Sequence, residues 1–114
     1  MKEDKLGDLS MELLVEVFNL CKKLKLEKET VISNQIGRSA SSICANIAES
    51  KYAHGRADFI AKLQIVLKEC SESEYWIELL IESGYYDDRK VLDLCIEVKK
   101  LLISSINTAK SNQK

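Results

Sequence analysis

Residues 39–50 read SASSICANIAES. Four serines, three alanines and a cysteine surround Ile43 and Ile47, and Glu49 is the one charge. A solvated helix carries more charge than this, and an ordinary core helix carries more bulk. Reading back to Val31 adds only one more charge, Arg38. At about 100° per residue, Ile32, Ile36, Ala40, Ile43 and Ile47 share one third of a helical wheel. Gly37, Ser41, Cys44 and Ala48 fall on the next third, and Gln35, Arg38, Ser42, Asn46 and Glu49 fill the last. A bundle helix usually buries one stripe and leaves the rest wet and charged. Here the isoleucine third suits the protomer's own core. The small third permits close approach of another backbone, and the polar third is too poorly charged for open solvent. A protomer of 114 residues has little material left to cover such a helix. A second copy is the economical source, so the sequence predicts a homo-oligomer with Gly37, Ser41, Cys44 and Ala48 as close-packing interface candidates.

Composition agrees with an all-helical chain. It is 46% hydrophobic and 31% charged, with no proline and four glycines, so helix breakers are scarce. Apolar positions recur at helical spacing in four stretches. Leu13, Leu14, Val17, Phe18, Cys21 and Leu24 form the stripe of the first, with Asp8 as its expected N-cap. The third carries Phe59, Leu63, Val66, Cys70, Ile77 and Ile81, and the fourth Val91, Cys95, Val98, Leu102, Ile106 and Ala109. The expected helices span about 8–25, 28–53, 57–83 and 87–110, with Gly55 closing the second, Gly84 the third, and Asp87 or Asp88 capping the fourth. The break between the first two is poorly marked, because KLKLEKET holds neither Gly nor Pro. Four helices on short turns predict one all-α domain, an antiparallel up-down-up-down four-helix bundle over residues 1–114.

At these residues the chain also resembles a known family. SNQIGRSASSICANIAES, residues 33–50, is similar to the motif S-x-Q-I-R-R-S-A-x-S-I-P-A-N-I-A-E-G of bacterial four-helix-bundle proteins. These are encoded in intervening sequences of large-subunit ribosomal RNA genes and often labelled ribosomal proteins. The likeness continues through Arg56, Asp58-Phe59-Ile60, Glu72, Glu74 and Gly84-Tyr85. Gly37 stands where the motif has its first Arg, Cys44 where it has Pro, Ser50 where it has Gly, and Ser73 where an E-L-E element has Leu. The resemblance implies a homopentameric ring. Accessory proteins of diversity-generating retroelements, more distantly similar, imply contact with nucleic acid.

Chemical machinery is thin. The single histidine, His54, stands beside Gly55 at an expected turn, and no nucleophile can be placed against it. Di-iron chemistry in a bundle needs Glu-x-x-His pairs, which one histidine cannot supply. Cys21, Cys44, Cys70 and Cys95 fall one per helix without C-x-x-C spacing and read as small hydrophobes, not zinc ligands. No catalytic, cofactor or metal site is expected, and the chain reads as no enzyme. No segment has the ~18 consecutive apolar residues of a membrane span, and MKEDKLGDLS holds no signal-like run, so a cytoplasmic setting is expected.

The polar residues are candidates for assembly. Arg38, Asn46, Glu49 and Arg56 read as a hydrogen-bonded seam fixing register and subunit contact, in preference to a ligand- or RNA-contacting set. Glu74 lies near the apolar stripe of the third helix, so it should be paired, with Arg38 or Arg56 as expected partner. Breaking a buried pair costs ~3–5 kcal/mol, so Glu74→Ala is expected to unfold or disassemble the protein.

Net charge is −1, so no bulk positive field recruits nucleic acid. Lys22, Lys23, Lys25 and Lys28 form one local patch, and Lys99, Lys100, Lys110 and Lys114 a second near the C-terminus. Trp76, Tyr75, Tyr85 and Tyr86 sit among carboxylates, so aromatic interleaving of lysines is not expected. Two readings follow. The favoured one is a non-enzymatic homo-oligomeric scaffold or adaptor whose further partner is another protein. The alternative is a protein acting on structured RNA, such as a ribosomal RNA intervening sequence.

Overall fold

The computed structural model describes residues 4–112. Four helices follow in order: α1 Lys5–Leu26, α2 Val31–Ser50, α3 Arg56–Glu82 and α4 Lys90–Ser111. The chain is an all-α four-helix bundle, 51 × 26 × 21 Å, with no strand among the described residues.

Local hydrogen bonding explains where the helix ends differ from expectation. α1 starts before Asp8, because Asp4 accepts the Gly7 N–H at 3.0 Å and is the N-cap. It ends on Lys28, which takes the left-handed conformation at φ 63°. Glu29 N–H then donates to the Leu24 carbonyl at 2.8 Å, and Lys28 N–H to that of Lys25 at 3.0 Å. That is the closure glycine usually makes, so the turn carries no glycine or proline signal. α2 is shorter than expected at both ends. The Glu29 carboxylate accepts the Ile32 N–H at 2.9 Å at its start. Gly55 does not close α2. It lies at the N-cap of α3, where its carbonyl accepts the Phe59 N–H at 2.9 Å. Gly84, at φ 84°, does close α3, with Tyr85 N–H bonded to the Leu80 carbonyl at 3.0 Å. Asp88 accepts the Lys90 N–H at 2.9 Å at the start of α4.

Each helix packs on two neighbours, α1 against α2 and α4, α3 against α2 and α4. Cross-helix contacts give the sense of three pairs. The Cys21 thiol donates to the Ser33 carbonyl at 3.4 Å and the Cys44 thiol to the Ser10 carbonyl at 3.1 Å, so α1 and α2 run antiparallel. Cys95 Sγ bonds the Cys70 carbonyl at 3.4 Å, while Arg56 at the start of α3 bonds the Asn112 carbonyl just past α4. Lys90, opening α4, pairs with Glu16, while Leu101 farther along lies with Lys5 and Leu9. Leu13, Leu24, Ile36, Ile43, Leu63 and Ile77 fill the shared interior at 0–1% exposure. Each such side chain contributes about 1.5–3 kcal/mol by leaving water.

Serine, not leucine, occupies the α2–α3 crossing. Ser39 and Ser73 are both fully buried, their hydroxyls 2.7 Å apart, and Ser39 Oγ also donates to the Ile36 carbonyl at 3.3 Å. Small side chains let the two helices approach, and the mutual hydrogen bond offsets the desolvation of both hydroxyls.

Ser39→Ala should strand the Ser73 hydroxyl and cost about 1–3 kcal/mol in a urea melt, whereas the Ser39→Ala, Ser73→Ala double variant should lie closer to wild type. Lys28→Gly relieves the left-handed backbone and should stabilise by about 1 kcal/mol in the same measurement.

Candidate functional site

On α2 the three faces of the wheel meet different surroundings. Ile36, Ala40, Ile43 and Ile47 are buried as expected, and Ile32 is half-buried. Of the small residues, Gly37, Ser41 and Cys44 are half-buried beside α1, and Ala48 is exposed. Gly37 permits no close backbone approach within the protomer: an added Cβ would meet only Cys21 Sγ, at 3.7 Å. On the polar third, Gln35, Arg38 and Glu49 are exposed, and Ser42 and Asn46 are half-buried.

The polar candidates do not form one seam. Asn46 Nδ2 donates within its own helix, to the Ser42 carbonyl at 2.9 Å and the Ser42 hydroxyl at 3.2 Å. Arg56 is at the far end of the bundle on the Asn112 carbonyl. Arg38 reaches across to α3, holding Glu69 at 3.3 Å and Glu72. Glu72 also accepts the Trp76 indole N–H at 3.3 Å. Partial burial pushes the Glu72 carboxyl up, but the guanidinium and the indole more than offset that, and it ends below its usual value.

Glu74 is paired with neither arginine. Its partner is Lys99 of α4, at 2.6 Å, with both side chains partly exposed. Glu74 lies one turn after Cys70 on the side of α3 that meets α4, whereas Glu69, Glu72 and Ser73 meet α2, and periodicity within α3 does not say which neighbour lies on which side. The carboxylate in turn raises the Lys99 ammonium pKa.

Two of the thiols, Cys70 and Cys44, are held protonated by their surroundings. Contact with the Cys95 thiol, and then burial, push the Cys70 thiol up. Burial also raises Cys44, against the opposing hydrogen bond with Ser10. Raised thiols are poor nucleophiles and poor ligands at neutral pH. Among the described residues no three His, Cys, Asp or Glu side chains converge on a common point. Among the same residues no helix is long and apolar enough to cross a membrane.

What the periodicity misassigned is the outer face of α1. Phe18 was expected in the core stripe, yet it is 51% exposed, in line with Met11 at 56% and Val15 at 51%. Half-buried Leu14 completes a second apolar stripe at 11, 14, 15 and 18, flanking the buried one. The signal was present, because these four positions repeat at three and four just as the core positions do. Toward its C-terminal end this face becomes basic. Phe18, Lys22 and Lys25 of α1 and Asn34, Gly37 and Ser41 of α2 line a groove of about 420 Å³. Ser33, lining the groove, is 2% exposed, and its hydroxyl has no hydrogen-bond partner among the described residues.

With a half-exposed lysine as its partner, Glu74 should matter less than a buried pair. Glu74→Ala should stay folded, and a double-mutant cycle with Lys99→Ala should give a coupling of about 0.2–1 kcal/mol in urea melts.

A profile of the 23S rRNA-intervening sequence protein matches residues 2–104. A crystal structure of a protein with unknown function, from the S23 ribosomal protein family of Bacteroides thetaiotaomicron, is similar at 48% identity. That alignment covers 89% of this chain and 97% of the other, with a TM-score of 0.84. No curated protein matches significantly. The long match, together with a shared four-helix architecture, places this chain in the 23S rRNA-intervening sequence protein family.

Proposed function

We propose that the protein is a non-enzymatic homo-oligomeric scaffold whose protomers meet on the outer face of α1 and α2. The observation that carries this reading is the second apolar stripe of α1. Met11 and Val15 lie at least half in water, with Leu14 between them. The Cys44–Ser10 contact sets this end of α1 beside the C-terminal half of α2, where Ala45 and Ala48 are exposed. Apolar side chains at i, i+3, i+4 beside alanines make a strip into which a neighbouring helix can settle closely. Left uncovered, an amphipathic helix with two apolar stripes is an aggregation liability, and an oligomer removes it.

A ring of five is the form implied by the family resemblance, and the polar candidates on α2 then lie at the rim of the interface. Glu49, exposed and on the same outer side as Ala48, is a rim residue. Arg38 is held by Glu69 and Glu72 and stiffens α2 against α3, so that α2 presents a fixed surface. In this reading the role is structural, with another protein as the further partner.

Light scattering and sedimentation test this directly. Wild type should be larger than the 12.9 kDa protomer at micromolar concentration. Val15→Asp and Ala48→Arg place charge on exposed positions, so each should keep its helical circular dichroism while raising the dissociation midpoint at least about tenfold. A wild-type monomer at that concentration would remove the scaffold.

A further inference from the structure

We propose that the groove between the C-terminal half of α1 and the N-terminal half of α2 binds a nucleotide unit, its phosphate on Lys22 and Lys25 and its base on Phe18. Three independent features meet there. The first is charge. Lys22 and Lys25 line the groove, neither forms an ion pair among the described residues, and no carboxylate lines it. Arg38, also on the rim, is already committed to Glu69 and Glu72 and adds field more than contact.

The second feature is an aromatic ring in the right place. Phe18 is half exposed on the same wall as the two lysines, one turn of helix before Lys22. A flat apolar ring beside a basic track is how proteins hold unpaired bases, by stacking on a face that every base possesses. The third is a spare donor. Ser33 is among the lining residues, and its hydroxyl, buried just beneath the groove surface, has no partner among the described residues. A buried hydroxyl left unsatisfied costs free energy, and turning it onto an oxyanion seated in the groove removes that cost. Asn34 supplies an amide on the same side. At about 420 Å³ the groove lies within the ~300–1,000 Å³ range of small-ligand sites.

The groove is complete within one protomer and lies beyond the Met11–Val15 end of the face. It therefore does not depend on the scaffold reading: an Ala48→Arg variant that has lost assembly should still bind. The shared chemistry is a phosphate next to a planar base, which a single strand or a free nucleotide can supply.

The test uses the full chain and a short fluorescein-labelled oligouridylate, followed by fluorescence anisotropy at low salt, with unlabelled UMP as the second probe. Wild type should bind the oligouridylate. Lys22→Ala with Lys25→Ala should weaken binding by about tenfold or more and flatten the log-affinity against log-salt slope by about 0.7, the effect of one single-strand phosphate contact. Phe18→Leu, which keeps apolar bulk but removes the stacking face, should weaken binding by about fivefold or more with an unchanged salt slope. Ser33→Ala should weaken it by about threefold while raising the melting temperature, an opposition that a purely structural serine would not show. UMP that displaces the oligouridylate, and whose own binding falls in Phe18→Leu, assigns the site to free nucleotides. Binding of the oligouridylate alone assigns it to a strand, and either result upholds the proposal. It is overturned if wild type does not bind at low salt, or if Phe18→Leu binds as wild type does. Equal competition by polyglutamate would also overturn it, reducing the groove to a patch of charge.

Discussion

Everything in this bundle is organised by a helix that has neither bulk nor charge enough to stand alone. α2 contributes four inward apolar side chains, Ile36, Ala40, Ile43 and Ile47, and its flanks are mostly serine, alanine and glycine. It is stable only because α1 and α3 grip it from either side. On the α3 side the grip is the Ser39–Ser73 contact, where two hydroxyls satisfy each other in the interior at a spacing that larger residues would forbid. On the α1 side it is a pair of thiol-to-carbonyl contacts, Cys21 with Ser33 and Cys44 with Ser10, in which cysteine fills space and donates weakly. Small residues flank the core at both seams, so the apolar interior is confined to a narrow column.

That confinement has a consequence for the outside. With α2 so slim, the part of α1 that leans over it is not covered, and Met11, Val15 and Phe18 remain in water. The protomer's surface is therefore graded along one face. Its apolar end lies beside the exposed alanines of α2, and its basic end opens into the groove lined by Ser33. A scaffold reading and a ligand-binding reading thus share a face, the first centred on Met11, Val15 and Ala48 and the second on Lys22, Lys25 and Ser33, with Phe18 at the boundary between them. Away from that face, Arg38 and Lys99 bind carboxylates of α3 and hold the helices in register. Exposed pairs of this sort contribute little stability singly, so their role is chiefly orientational.

Much of the fold was legible in advance, because spacing of three and four survives any detail of packing. Ile43, Leu63, Val98 and Leu102 are buried where the periodicity places them. Gly84 ends α3 because a left-handed residue is needed there and glycine announces itself. Lys28 meets the same need at the end of α1 without announcing it, so that turn was blurred. Candidate residues fared less evenly. Gly37 and Ser41 do border a groove, but its other wall is Phe18 and Lys22, residues assigned to a core stripe and a surface patch. Glu74 was seen to need a partner, and the partner came from α4.

Read alone, the amino-acid order determines four amphipathic helices, the apolar column they share and the unusual slimness of the second, since each follows from side-chain type at a fixed angular step. It leaves open how each helix is rotated against its neighbours. Phe18 lies roughly 100° round α1 from the centre of the buried stripe, close enough to pass for core on a wheel. Only the tertiary packing, in which α2 and α4 take up positions on either side of α1, puts that ring in water beside two lysines. The same packing gives Glu74 to Lys99 and leaves the Ser33 hydroxyl without a partner among the described residues. Helical periodicity is a local property of one chain segment, whereas a groove or an ion pair depends on two segments whose relative azimuth no single segment encodes.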